Sequence, residues 1–286
     1  MNSGEKHKRL GDRPPREQPD RRYKAQHIIL SSGDMQRKMT VRSKEESEVA
    51  RTFEDFKYLT FDVVGTLIDF ESGLVGCLKK IGAEAGVEID GEAALAFYRQ
   101  ARYMPDVGLF PDDLVRVYLQ IAPKLGLPVE RRFGERLRDS ARTWRGFPDS
   151  AEAMARLAKR YRLIAMTNAQ RWAFECFSKE LDNPFYASFT VDDTGTEKPD
   201  PAFFEKVFAF IEKQGDTRGD ILHVAQSQYH DIGISRKLGL TNCWIERRHA
   251  QKGYGGTIEP DNFTTPDFHF TSMAALADAV EQTKAA

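Results

Sequence analysis

Short apolar runs recur along the chain, and each gives way to a stretch whose apolar positions return every three or four residues. The runs are YLTFDVV (58–64), RLIAMTN (162–168), YASFTV (186–191), DILHVAQ (220–226), NCWIE (242–246) and DFHF (267–270). They are short for helices and apolar on both faces, the pattern of strands covered by helices on both sides. Alternation of strand and helix predicts an α/β fold with a doubly wound, Rossmann-like parallel sheet. Among the helices, DSAE from Asp149 to Glu152 reads as a capping-box-like start before the stripe Met154, Leu157, Ala158, Tyr161. PAFFEKVFAFIEK (201–213) opens on a proline that a first turn tolerates, and spaces Phe204, Val207, Phe208 and Ile211 along one face. IGISRKLGL (232–240) runs to Gly239, a C-terminal cap.

One interval breaks the rhythm. Thr167 lies 105 positions after Asp62, whereas a strand–helix–strand crossover takes roughly 30. The surplus reads as helices over 91–104, 111–126 and 130–144. The predicted organisation is therefore an α/β core from residues 52–72 and 146–286, with a helical cap, 73–145, inserted into it. Such a cap would sit over the carboxyl ends of the strands, where ligands of open α/β sheets bind.

Charge and composition narrow the function classes. Apolar residues make up 41% of the 286, enough for a sizeable core. The formal net charge of −1 gives no reason to expect nucleic acid or an anionic membrane as partner. Residues 1–51 carry a net +5, leaving −6 on the rest. That segment is polar, contains prolines and lacks periodicity. It cannot bury enough apolar surface to offset its ordering entropy, and reads as a flexible basic tail or an Arg-rich docking arm. It holds no apolar stretch of signal-peptide length. Three scattered cysteines without a CxxC pair suggest neither zinc nor a disulfide framework, and fit a cytoplasmic protein. No apolar run approaches the roughly 18 residues of a membrane helix.

Polar groups gather at the ends of four predicted strands. The first offers Asp62 and Thr66, the second Thr167 and Asn168, and the loop after the third Lys198. The fourth offers Gln226, Ser227, Gln228 and Asp231. A carboxylate can serve as a nucleophile, and a nearby cation compensates for taking it out of water. One acid, one lysine, small hydroxyls and a second acid form a covalent-catalysis set.

The order and wording of these segments resemble the haloacid dehalogenase superfamily. The matching motifs are DxxGTL at Asp62–Leu67, TNA at Thr167–Ala169, KPDP at Lys198–Pro201 and VAQSQYHD ending at Asp231, across residues 55–275. Phosphatases of that superfamily usually carry an acid where this chain has Val64, and bind magnesium through acids in the last motif, where Gln226 stands. Valine cannot protonate a leaving alcohol, and an amide oxygen is a weak ligand for magnesium. Both departures point to the metal- and cofactor-independent type II 2-haloacid dehalogenases. That resemblance implies that Asp62 displaces halide and forms an ester, which water cleaves to a 2-hydroxy acid. Asp231, with Lys198 nearby, would orient or deprotonate the water, and Thr66 would bond Asp62. Thr167 and Asn168, with backbone N–H groups, would hold the substrate carboxylate.

Gln226 and Gln228 stand where the resembled enzymes have serine and asparagine. Arg99 in FYRQARY matches the cap arginine that cradles halide, with Arg102 and Tyr103 a turn on. The chain departs from the type II enzymes at Val64 and Phe204, each typically tyrosine there. His230 reads as a structural group or a proton carrier. The alternatives left open are a hydrolase opening a strained carboxylate-bearing ring of the azetidine-2-carboxylate type, a phosphatase or phosphonate hydrolase with atypical motifs, and a catalytically inactive binding protein. The expected partner is a small carboxylate; a homodimer is left open.

Overall fold

All six apolar runs pair into one sheet. The computed structural model describes residues 51–104 and 106–283; the basic tail expected over 1–51 lies, Arg51 apart, outside them. Strands β1 (Tyr58–Phe61), β2 (Arg162–Met166), β3 (Ala187–Phe189), β4 (Ile221–Ala225), β5 (Thr241–Ile245) and β6 (Phe268–Phe270) are all parallel. Their order is β3-β2-β1-β4-β5-β6. The winding reverses at β1, so the crevice beyond the carboxyl ends of β1 and β4 is the switch point where ligands of such sheets bind.

The two faces of the sheet are covered differently. Leu59, Phe61, Leu163, Leu222 and Val224 belong to one apolar layer, and Tyr58, Ile164, Met166 and Ile221 to the other. The pleat sends successive residues to opposite faces, which is why runs with no polar alternation fit here. The second layer is closed by α8 (Pro201–Glu212), whose Phe203, Phe204, Val207, Phe208 and Ile211 are buried, as its stripe predicts. Asp200 caps this helix, accepting from the Ala202 N–H at 2.8 Å.

The first four helices of the long interval between β1 and β2 are α1 (Phe70–Ala85), α2 (Gly91–Ala101), α3 (Leu114–Ile121) and α4 (Arg131–Ser140). The second and third predicted helices end in short 3₁₀ turns, Ala122–Leu125 and Ala141–Thr143. Asp69 and Asp90 cap α1 and α2 through Ser72 N and Glu92 N. A Cβ on Gly134 of α4 would lie 2.9 Å from the Val115 carbonyl, so glycine permits the close approach of α3 to α4. The remaining helices are α5 (Ser150–Leu157), α6 (Arg171–Glu180), the short α7 (Val191–Thr194) and α9 (Gly233–Lys237), and α10 (Met273–Thr283). Among the described residues, no helix is long and apolar enough to cross a membrane.

The capping box expected at Asp149 does not form. Its carboxylate accepts instead from Met273 N (2.7 Å) and Ala274 N (3.2 Å), capping α10, and from Arg247 Nη1 at 2.8 and 3.0 Å. A cap 124 residues away in sequence cannot be read from local spacing. The same guanidinium donates to Ser150 Oγ and, through Nε, to the Thr66 carbonyl at 2.9 Å. Arg247 thus ties the β5 exit, α5 and the loop after β1 together, with a side chain 7% exposed. Removing one partner of such a pair strands the other. We predict that Arg247→Met lowers folding stability by roughly 3 kcal/mol, read by urea denaturation.

Candidate active site

β1 ends one residue before Asp62, whose N–H still reaches across to the Val224 carbonyl at 3.1 Å. The chain then folds back on itself. Gly65 adopts φ +93°, a conformation that suits glycine, and its N–H donates to Ile68 O at 2.9 Å. Leu67 N and Ile68 N both donate to Val63 O. This tight loop explains why the predicted strand 58–64 is cut short. It also aims the Thr66 hydroxyl at Asp62 Oδ2, 2.7 Å away. The hydroxyl oxygen in turn accepts from Gln226 N at 2.8 Å. Val64 is half-buried against the apolar core and contributes no polar atom.

Lys198 comes from the loop between α7 and α8. Its ammonium donates to Asp62 Oδ1 at 2.9 Å and to Asp231 Oδ1 at 2.6 Å. All three side chains are at least nine-tenths buried. Asn168 fixes the lysine's backbone: Nδ2 donates to Lys198 O (2.8 Å), and Oδ1 accepts from Lys198 N (2.7 Å). Asp231 rides on a widened, π-helical turn, Gln228–Ile232, in which Ile232 N bonds back to Ser227 O.

Two carboxylates share one ammonium away from water, and this splits their acidities. Burial, reinforced by the Asp231 charge, raises Asp62 above the ordinary carboxylate range, against the pull of Lys198 and Thr66. Burial also opposes the ionisation of Asp231, but Lys198 and a hydrogen bond from His223 outweigh it and hold Asp231 down at about 2. Burial works against the Lys198 charge as well, and the two carboxylates outweigh it, so Lys198 is raised. His230 is pushed down to about 4 by burial; its Nδ1 lies 3.1 Å from Ser227 Oγ. It is therefore uncharged at neutral pH.

The other expected site residues divide. Thr167 is buried, and its hydroxyl oxygen accepts from Ala169 N at 3.2 Å. The Asn168 amide is spent at both ends on Lys198, so these contacts serve the lysine rather than a substrate carboxylate. Gln226 Oε1 accepts from Thr257 at 3.2 Å, and Gln228 Oε1 from Thr264 N at 3.0 Å, leaving Gln228 Nε2 buried without a partner among the described residues. Arg99 is not brought to the carboxylates: its Nη1 donates to the Gly255 carbonyl, joining α2 to the loop after β5. Arg102 pairs with Asp113 at 2.6 Å and approaches Glu197, the neighbour of Lys198, at 4.0 Å. A cleft of about 130 Å³ opens beside the loop after β1, lined by Gly65, Phe70, Glu71, Gln226 and Arg247 among others; Asp62, Lys198 and Asp231 do not line it.

The reading of the sequence missed two residues here. His223 sits on β4 with Nε2 3.2 Å from Asp231 Oδ1; the one signal was a histidine inside an otherwise apolar strand run. Arg247 lay in a basic loop with nothing to mark it as buried.

The residues fit a divalent cation poorly. Both carboxylates turn an oxygen to the Lys198 ammonium, and Gln226, an uncharged amide, already accepts from Thr257. Magnesium calls for hard, preferably charged oxygen ligands, and this donor set leaves it few.

A family model for haloacid dehalogenase-like hydrolases matches residues 56–224. The chain belongs to this family. The match takes in Asp62 and Lys198 and stops before Asp231. Solved structures agree on the fold of this haloacid dehalogenase-like hydrolase. The L-2-haloacid dehalogenase PA0810 is 21% identical with a TM-score of 0.64, over 81% of this chain and all of that one. An L-2-haloacid dehalogenase from Xanthobacter autotrophicus is 20% identical with a TM-score of 0.62, over 79% and 98%. The HAD-type protein YfnB from Bacillus subtilis, solved with magnesium, is 16% identical with a TM-score of 0.64, over 79% and 99%. No curated protein sequence matches the chain.

The split acidities give a stability test. Asp231 is held below its ordinary value of 3.8, so its contribution is complete above that pH and is lost as the pH falls toward about 2. Asp62 is raised, so its cost is absent in acid and grows as the pH climbs from 3.8 through its folded value. Urea titrations between pH 2 and 7 should show wild type losing its advantage over Asp231→Asn toward the acid end. Asp62→Asn should gain on wild type as pH rises.

Proposed function

We propose that this family member is a metal-independent hydrolase that displaces halide from a short 2-haloacid. The observation that carries the reading is the pairing of a buried carboxylate, oriented by Lys198 and Thr66, with a valine at position 64. Asp62 attacks the halogen-bearing carbon; the carbon–halogen bond breaks and an aspartyl ester forms. Halide leaves as an anion and needs no proton, so no acid is called for at position 64. Water then adds to the Asp62 carbonyl carbon, with Asp231 as base, and the product leaves as a 2-hydroxy acid.

Lys198 has two tasks in this scheme. It keeps Asp62 ionised against its burial, and it screens Asp231 from the nucleophile. Asn168 acts through Lys198 by fixing its backbone. The Thr167 hydroxyl and the N–H groups of the loop after β1 meet the substrate carboxylate. Gln228, on the same turn as Asp231, offers an amide nitrogen without a partner among the described residues. Arg99 serves as the halide cradle once the loop around Gly255 releases it. The enzyme's family and the L-2-haloacid dehalogenases of like fold support this scheme, and Val64 and Gln226 weigh against phosphoryl transfer.

Incubation with chloroacetate, fluoroacetate and 2-chloropropionate should release halide at a rate that a chelator leaves unchanged. Asp62→Asn should lower that rate by about a thousandfold or more. Absence of halide from all three, or magnesium-dependent release of phosphate from phosphate esters, would contradict the proposal.

A further inference from the structure

His223 places an imidazole in the layer between the sheet and α8. Strand register sets it directly opposite Thr60 on β1, on the face away from Leu222 and Val224. It is fully buried. Thr60 Oγ1 lies 2.9 Å from its Nδ1, and Asp231 Oδ1 lies 3.2 Å from its Nε2. An ionised carboxylate can only accept, so the proton between them sits on Nε2. Phe204 packs edge-on against the imidazole with ring centroids 5.5 Å apart, and brings no polar atom. The ring is thus held on one side by a hydroxyl and on another by an aromatic wall.

The detail that matters is which oxygen His223 takes. Lys198 and His223 both donate to Oδ1 of Asp231, from different elements. Oδ2 is buried and has no hydrogen-bond partner among the described residues. Two donors on one oxygen fix the rotation of the carboxylate and leave the other oxygen with its lone pairs free. On the same turn, Gln228 Nε2 is also buried and without a partner among the described residues. Asp231 thus keeps a buried oxygen, and Gln228, three residues before it, a buried amide nitrogen, that no other group among the described residues holds.

We propose that His223 is a positioning residue for the hydrolytic half of the reaction: it orients Asp231 so that Oδ2 takes a proton from water. This rests on the ester mechanism proposed above. Water oxygen bonds to the Asp62 carbonyl carbon while one of its protons passes to Asp231 Oδ2. Collapse breaks the bond from that carbon to the ester oxygen, the one Asp62 itself placed on the substrate carbon, which departs as the product hydroxyl with one proton; the other proton goes to solvent, and Asp62 is left as carboxylate with the water oxygen in it. The groups facing Asp231 are Lys198, Asp62 and His223, with His230 on its own turn and Arg102 beyond it. Among these, His223 is the donor that touches Asp231 without also touching Asp62. Its loss should therefore slow ester hydrolysis and spare ester formation.

Two measurements on the full chain decide this. The first needs no substrate. The ¹³C signal of the Asp231 carboxyl, identified by its absence in Asp231→Asn, should titrate at higher pH in His223→Leu than in wild type, and closer to wild type in His223→Gln, which keeps a side-chain N–H. The second uses 2-chloropropionate. In His223→Leu the Asp62 ester should accumulate by mass, with hydrolysis slowed about 10- to 100-fold, and its acid limb shifted up in pH. His223→Gln should recover part of that rate. His223→Met replaces the leucine variant if the latter does not fold. An unchanged Asp231 titration, or equal slowing of both steps, would overturn the assignment. So would a glutamine variant as slow as the apolar one. If wild type releases no halide, the substrate reading fails, and the carboxyl titration alone decides the role of His223.

Discussion

A lysine ammonium buried between two carboxylates is the interaction on which this site depends. Taking three charges out of water is costly, and removing any one leaves the others uncompensated. The fold meets that cost by drawing each charge from a different element. Asp62 comes from the end of β1, Lys198 from the loop before α8, and Asp231 from the widened turn after β4. Each is then held by a second contact: Thr66 on Asp62, Asn168 on the lysine backbone, His223 on Asp231. The parallel sheet supplies the convergence, because the carboxyl ends of β1 and β4 are adjacent where the winding reverses.

The electrostatic result is asymmetric. Two chemically identical side chains around one cation end with opposite shifts, Asp62 raised and Asp231 lowered. The difference traces to donors: Asp231 has both Lys198 and His223 on one oxygen, while Asp62 shares Lys198 and adds only a hydroxyl. Such a split suits a pair in which one carboxylate forms a bond and the other handles a proton. Val64 completes the picture by what it cannot do. Position 64 offers no acid to protonate a leaving group, and the other carboxylate of that loop, Asp69, is held by Ser72 as the cap of α1.

Much of this was legible in the sequence, for physical reasons that can be named. The six strands were visible because each is buried on both faces, and continuous apolar runs follow from that. The stripe of α8 was visible because its phenylalanines close one layer of the core. Asp62, Lys198 and Asp231 were marked by short motifs whose spacing is fixed by local turns. What stayed hidden depends on distance in sequence. Asp149 looked like a local cap and instead caps α10. Asn168 looked like a ligand and instead clamps Lys198, 30 residues on. Arg99 matched a motif position, yet is drawn to Gly255 by a loop that no local pattern places near α2. His223 resembled core, and its partner across the sheet was known only once β1 lay beside β4.

The central claim is that Asp62 becomes covalently attached to substrate carbon and is freed by water. A single turnover of 2-chloropropionate in heavy-oxygen water, with excess enzyme, followed by mass analysis of the peptide containing Asp62, tests it most directly. Attack by Asp62 predicts one heavy oxygen in the Asp62 carboxylate and none in the product hydroxyl. Heavy oxygen in the product, with Asp62 unlabelled, would mean that water attacks the substrate carbon itself and would contradict the account.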